Sequence, residues 1–255
     1  MNLKVDTISQ RFGGLQALLD VSFAVEPGTI HGLIGPNGAG KTTLINILSG
    51  VQPPSAGQVY YQGEAVHRLQ AHQIAALGVA RTFQNIRLFP AMTCLENVQA
   101  AQHLIASRLL VPRLLRLPSA CREDRDLEAK ACATLLRVGL EGKAALLAKN
   151  LSYGERRRLE IARALASNPS LLRLDEPVAG MRRSEAAQVA DLVRSLAAGG
   201  MTVLLIEHNM AFVMALCSRI TVLNFGQVIT TGSPEDVRCH REVIAAYLGT
   251  GQNDA

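Results

Sequence analysis

The sequence predicts an α/β fold, a mainly parallel sheet with helices on its faces and an all-helical segment inserted into it. Three observations predict this. Short apolar strand patterns alternate with helical ones in the first and last thirds of the chain. A glycine-rich stretch at residues 35–42 joins one such strand to one such helix. From about Cys94 to Asn150 strand signals give way to helix formers.

The elements follow in order. Val21, Phe23 and Val25 alternate with polar or small neighbours, a half-buried strand pattern, and Pro27-Gly28 turns the chain. Thr29 to Ile34 is a short apolar strand, and Lys41 to Leu48 a helix stopped by Gly50. Pro53-Pro54 and Gly57 turn the chain into a strand at Gln58 to Tyr61. A short helix is expected at Ala71 to Leu77 and a strand at Val79 to Phe83. Ser119 to Val138, rich in Ala, Leu, Glu and Arg, reads as helix, as does Glu155 to Ala166. Strands are expected at Leu171 to Leu174, Thr202 to Ile206 and Ile220 to Asn224. Between the first two, Val189, Leu192, Val193 and Leu196 give Glu185 to Ala197 the i, i+3, i+4, i+7 spacing of an amphipathic helix.

Composition narrows the class. The 255 residues are 48% hydrophobic and 18% charged, which excludes a disordered chain and suits one large domain or two small ones. The net charge of +5 is mild and spread out. It fits an anionic ligand or surface but not a histone-like or basic-tail protein. Aromatics make up only 4%, with no Trp, which weakens any stacking platform for single-stranded nucleic acid. Cys94, Cys121, Cys132, Cys217 and Cys239 are odd in number and form no C-x-x-C pair. They read as reduced thiols of a cytosolic protein rather than a disulfide frame or zinc site. The first residues lack a signal-peptide pattern, and no apolar run reaches the roughly 18 residues of a spanning helix. Leu104 to Leu117 is apolar with three arginines. It reads as a helical arm in preference to an interfacial segment, because Pro112 breaks its middle.

The chemistry begins at Gly35-Pro36-Asn37-Gly38-Ala39-Gly40-Lys41-Thr42, which fits G-x-x-x-x-G-K-[ST] between a strand and a helix. Glycines let successive N–H groups converge on one anion, and the helix N-terminus adds its positive end. Lys41 would place a charge on the β and γ phosphates, and the Thr42 hydroxyl would ligate Mg²⁺. A phosphate loop needs a metal-holding carboxylate. Leu171 to Glu176 supplies a mostly apolar strand ending in two acids: Asp175 for the Mg²⁺ shell and Glu176 to orient and deprotonate water.

At Leu151-Ser152-Tyr153-Gly154-Glu155 the chain resembles the signature motif of ATP-binding-cassette ATPases. The order of phosphate loop, Gln84 loop, signature, acidic strand and His208 is also that family's, so the resemblance covers essentially the whole chain. It implies a P-loop, RecA-like core with an antiparallel β subdomain and an inserted helical subdomain. The core would take about 1–93 and 154–255, the helices about 94–153, in one cassette. It implies ATP and Mg²⁺ as cofactors, with the phosphate site running on through Thr43. Phe12 would stack on adenine, Gln84 would reach Mg²⁺ and sense a membrane partner, and His208 would contact the γ-phosphate. Ser152, Gly154 and Glu155 would face ATP held by a second subunit, a copy or a paralogue, packed head to tail. Ala179-Gly180-Met181 would cross that interface. Gly78 to Phe89, Met92 to Val98 and the tail Gly226 to Leu248 resemble ATPases of branched-chain amino acid importers more narrowly. Urea or amide importers use similar subunits, and a low-turnover regulatory cassette is the alternative. The implied partners are separate membrane permeases and, indirectly, a periplasmic binding protein, with no nucleic acid. The implied location is peripheral, on the cytoplasmic face of the inner membrane.

Some positions depart from that pattern. Arg173 interrupts a strand expected to be buried on both faces, where a guanidinium must find a carboxylate or water or else weaken the strand. Glu155 stands where glutamine is commoner, and a carboxylate near a γ-phosphate is mildly unfavourable. Arg156-Arg157-Arg158 opposes the dipole of its own helix and reads as a solvated charged face. Arg182-Arg183 stands where the importer group commonly has Asn-Pro.

Overall fold

The computed structural model describes residues 2–102 and 118–248, with the side chains of all of these except 118–121 and 248. The expected arm at Leu104 to Leu117 lies outside the described residues. The strands are β1 (Leu3–Phe12), β2 (Leu15–Val25), β3 (Ile30–Ile34), β4 (Ala56–Tyr61), β5 (Glu64–Ala65), β6 (Val79–Arg81), β7 (Leu171–Asp175), β8 (Thr202–Ile206), β9 (Arg219–Asn224) and β10 (Gln227–Gly232). The described helices are α1 (Lys41–Leu48), α2 (Ala71–Ala76), α3 (Cys94–Ala101), α4 (Pro118–Arg137), α5 (Tyr153–Leu165), α6 (Arg183–Ala198), α7 (Met210–Leu216), α8 (Pro234–Cys239) and α9 (Arg241–Leu248). They fall into two compact units.

The first unit comprises Met1–Val79, Leu171–Glu176 and Val193–Ala255. It holds an antiparallel sheet in the order β2-β1-β4-β5. Val5 lies opposite Phe23 on one side and Val59 on the other, so the alternation of apolar residues turns one face of this sheet inward. The other sheet runs β10-β9-β3-β8-β7-β6, with β9, β3, β8 and β7 mutually parallel and β10 antiparallel at the edge. Every residue of β3 and β8 is buried, which is why Ile, Leu and Val dominate both strands although His31 and Thr202 are polar. α1 buries Leu44, Ile45, Ile47 and Leu48 in a core shared with Val5, Leu33, Leu204 and Ile206. His31 lies inside the same unit, stacked on Phe23 with ring centroids 5.6 Å apart.

The second unit comprises Ala80–Ser170 and Pro177–Leu192. α3 packs on α4 and α5 around the buried residues Cys94, Val98, Ala131, Leu135 and Leu159. Its start is fixed twice. Thr93 and Glu96 cap it reciprocally, the Glu96 N–H donating to Thr93 Oγ1 at 3.1 Å and the Thr93 N–H to Glu96 Oε2 at 2.7 Å. The fully buried Asn97 then accepts from the Phe89 N–H at 2.9 Å and donates to the carbonyls of Phe89 and Thr93, at 3.0 and 2.9 Å, tying down the loop before the helix.

The strand expected to reach Phe83 stops at Arg81, because the following backbone turns onto side chains of α5. α5 starts at Tyr153, two residues before the expected start, because Ser152 caps it. β1 and β10 are further strands that the pattern reading did not single out. Among the described residues no helix is long and apolar enough to cross a membrane.

Candidate functional site

In the first unit, three parallel strands deliver the site. Leu33 of β3 pairs with Ile206 of β8, and Ile206 pairs with Asp175 of β7, so the carboxyl ends of all three strands come level. The chains leaving them emerge at one edge of the sheet, where open α/β sheets bind ligands.

From β3 comes the 35–40 loop. Gly35 is dictated by a close approach, since a Cβ there would stand 2.1 Å from the Leu223 carbonyl oxygen. Gly40, at φ 97°, is the N-cap of α1 and offers no side chain to its N–H groups. No acidic residue occupies the first turn, so the positive end of α1 is not neutralised locally. Lys41 Nζ donates to the carbonyls of Gly35 and Pro36, at 2.6 and 2.9 Å, folding its ammonium over the loop. Partial burial lowers the Lys41 pKa, while the charges of Glu176 and Asp175 push it back up, which puts both acids within its field.

From β7 come Asp175 and Glu176. Glu176 sits at φ 46°, a left-handed conformation that a non-glycine residue adopts at a cost of about 1–3 kcal/mol. Its N–H donates to the Ile206 carbonyl at 2.9 Å, which holds it there. From β8 come Glu207 and His208. The His208 side chain is 60% exposed, and its Nδ1 lies 3.5 Å from Glu176 Oε1. Glu207 was missed by sequence reasoning. It is buried, and its Oε2 accepts from the N–H groups of His208 at 3.2 Å and Asn209 at 3.4 Å. The signal was a carboxylate placed directly after the apolar run Val203 to Ile206. Phe12 closes β1 with 48% of its surface exposed, which rules out an ordinary core ring. Arg173 is buried on β7 at 4% exposure, where it is not without interaction partners.

In the second unit stand Gln84, exposed, and the signature residues. Ser152 and Glu155 form a capping box: Ser152 Oγ accepts from the Glu155 N–H at 3.3 Å, and Glu155 Oε2 from the Ser152 N–H at 2.9 Å. Glu155 is also ion-paired with Lys143, whose hydrogen bond holds its carboxyl below the usual range. The unexpected carboxylate therefore has its own counter-charge. Gly154 is buried against α6, and a Cβ there would meet Glu185 Oε1 at 2.5 Å. A Cβ on Gly180 would be 3.6 Å from the Tyr153 ring, so the Ala179-Gly180-Met181 loop lies beside the signature.

The solvated face expected at Arg156-Arg157-Arg158 is corrected. Arg157 is only 3% exposed, and Arg158 donates to the carbonyls of Val138 at 3.0 Å and Gly139 at 3.3 Å. These guanidinium groups satisfy backbone oxygens within the unit instead of facing water.

Comparison with known proteins identifies the family. The family model described as ABC transporter matches residues 18–179, and a model described as branched-chain amino acid ATP-binding cassette transporter matches residues 227–252. The chain is 43% identical over 248 residues to the high-affinity branched-chain amino acid transport ATP-binding protein LivG of Escherichia coli K12, covering 97% of each chain. It is similar to the ADP conformation of MJ1267, an ATP-binding cassette of an ABC transporter, with a TM-score of 0.85 and 31% identity, covering 97% of this chain and 98% of that one. It is also similar to the dimeric, post-hydrolysis cassette MJ0796 bound to ADP and Pi, with a TM-score of 0.76 and 25% identity, covering 91% of this chain and 98% of that one. The chain belongs to the ABC transporter family, as an ATP-binding cassette and ATPase homologous to the importer subunits for branched-chain amino acids.

Proposed function

We propose that this cassette hydrolyses ATP to drive import of branched-chain amino acids through separate membrane permeases. One observation carries the catalytic half: the uncapped N-terminus of α1, the Asp175–Glu176 pair and His208 leave neighbouring parallel strands at one edge of the sheet. The importer half is supported by the LivG likeness over 97% of the chain and by the matched tail at residues 227–252.

In this reading the N–H groups of Gly35 to Thr43 and the Lys41 ammonium hold the phosphates, and Phe12 stacks on the adenine. The donor set fits Mg²⁺, which favours one or two carboxylates plus substrate phosphates. Thr42 and Asp175, both of the first unit, would hold it. When bound, the ion neutralises phosphate charge. Glu176 takes the proton of the attacking water, and His208 contacts the γ-phosphate.

Ser152, Gly154 and Glu155 face the nucleotide of a second cassette, a copy or a paralogue, in a head-to-tail dimer. The working unit is then a single cassette, with its helical subdomain around residues 94–153, held peripherally at the cytoplasmic face of the inner membrane. A periplasmic binding protein delivers the solute without touching this chain. The test has two parts. Purified protein should hydrolyse ATP while Glu176→Gln does not, and cells lacking the gene should lose leucine uptake, restored by the wild type but not by the variant. Equal turnover in both proteins overturns the catalytic assignment, and unchanged leucine uptake overturns the solute.

A further inference from the structure

Residues 83–87 form no strand, yet their backbone is held at several points by two side chains one turn apart on α5. Arg157 donates to the Phe83 carbonyl at 2.8 Å and, from its other terminal nitrogen, to the Gln84 carbonyl. Glu160 Oε1 accepts from the N–H groups of Phe83 at 3.3 Å and Arg87 at 3.4 Å. The two side chains are bridged at 3.0 Å and are only 4% and 6% exposed. The same Arg157 guanidinium lies over the Tyr153 ring, 5.8 Å from its centroid. Tyr153 is the middle residue of the signature and backs onto Gly180.

A buried ion pair is poor evidence for stability, because desolvation offsets most of its Coulomb gain. This one does something an apolar pair cannot, since it satisfies backbone groups of a loop more than seventy residues away in sequence. A planar guanidinium fork on two successive carbonyls also fixes direction as well as distance.

We infer that Arg157 and Glu160 are positioning residues that join the signature turn of α5 and the backbone beneath Gln84 into one body. Displacement of Tyr153 or Ser152 is carried to Gln84 through the guanidinium fork, and a pull on the Gln84 loop is carried back. This goes beyond the proposed roles of Gln84 and the signature and rests on them only for its consequence, that each reports to the other.

The test is amide hydrogen exchange on the full-length chain, with and without a non-hydrolysable ATP analogue and Mg²⁺. The variants are Arg157→Met, Arg157→Lys as a milder form that keeps the charge but loses the fork, and Glu160→Gln. Without nucleotide, Arg157→Met should speed exchange of the Phe83 and Arg87 amides about tenfold or more, the effect of losing roughly 1.4 kcal/mol of local protection. Unchanged exchange there overturns the clamp. With nucleotide, wild-type peptides covering 83–87 and 152–157 should gain protection together. In Arg157→Met and Arg157→Lys only 152–157 should respond. A response at 83–87 that survives in both variants overturns the coupling. Absence of any response at 152–157 in the wild type refutes the nucleotide-facing role of the signature instead, while the nucleotide-free arm still decides the clamp.

Discussion

His208 Nδ1 stands 3.5 Å from Glu176 Oε1, although the two residues leave different strands and Glu176 must adopt φ 46° to be there. The left-handed backbone and the N–H anchored to the Ile206 carbonyl fix the direction in which the Glu176 side chain leaves the strand end. Glu176→Gln keeps that shape and removes only the basicity. ATP turnover is expected to fall at least about 100-fold with nucleotide affinity retained. Steady-state phosphate release combined with a nucleotide-binding titration separates the two, and a loss of affinity as large as the loss of rate would show that Glu176 serves binding.

Gly35 and Lys41 fail in different ways. A Cβ at Gly35 would lie 2.1 Å from the Leu223 carbonyl, which is backbone and cannot swing away. Gly35→Ala should therefore lose about 3 kcal/mol by overpacking, and so lower the melting temperature by roughly 6–12 °C. Lys41 is only half-buried and bonds just two loop carbonyls. Lys41→Ala should melt within a few degrees of wild type yet lose ATP binding. The pair of melting curves checks this, and a larger thermal loss for Lys41→Ala would refute it.

The Lys143–Glu155 pair makes a carboxylate tolerable at the start of the signature helix. The Glu155 pKa is lowered, first by the Lys143 hydrogen bond, so the stabilisation is fully present above the ordinary carboxylate pKa and fades as pH falls through the lowered one. With the Lys143 side chain 43% exposed, the pair should be worth about 0.5–1 kcal/mol. Glu155→Gln should then melt below wild type at pH 7 and converge with it as pH falls through the lowered Glu155 pKa. On the proposed nucleotide-facing role of the signature, Lys143→Met should impair ATPase activity more than Glu155→Gln, because it leaves the Glu155 charge uncompensated. The double variant should recover the activity of Glu155→Gln alone.

Residues placed by their neighbours in sequence were legible: the 35–40 loop between β3 and α1, because it is one consecutive run, and Asp175 and Glu176, because they end a mostly apolar strand. Ser152 stands just ahead of the helix expected from Glu155, and it is the cap of α5. Arg157 was not legible. An arginine three residues before a glutamate on a helix has the spacing of an ordinary surface ion pair, and nothing nearby reveals that the backbone of residues 83–87 covers it. Glu155 looked unfavourable for the same reason, since its counter-charge, Lys143, comes from a separate turn. Long-range burial, not local propensity, decides both cases.

His31 gives the sharpest dependence on pH. It is 1% exposed, stacked on Phe23 and hydrogen-bonded through Nε2 to Thr221 Oγ1 at 2.8 Å. Burial, reinforced by the charge of Arg219, lowers its pKa to about 4 from the ordinary 6.5. Between those two values the unfolded chain holds a proton that the folded one refuses, so acidification through that window favours unfolding. Above pH 6.5 this histidine contributes no slope; by pH 4 it should have removed about 3 kcal/mol of stability. His31→Gln keeps a polar group beside Thr221 and cannot titrate. Denaturant midpoints measured from pH 7.5 to 4 should fall more steeply for wild type than for His31→Gln, with the curves separating below about pH 6.5. Parallel curves would mean that His31 is protonated in the folded protein and that another group accounts for its acid sensitivity.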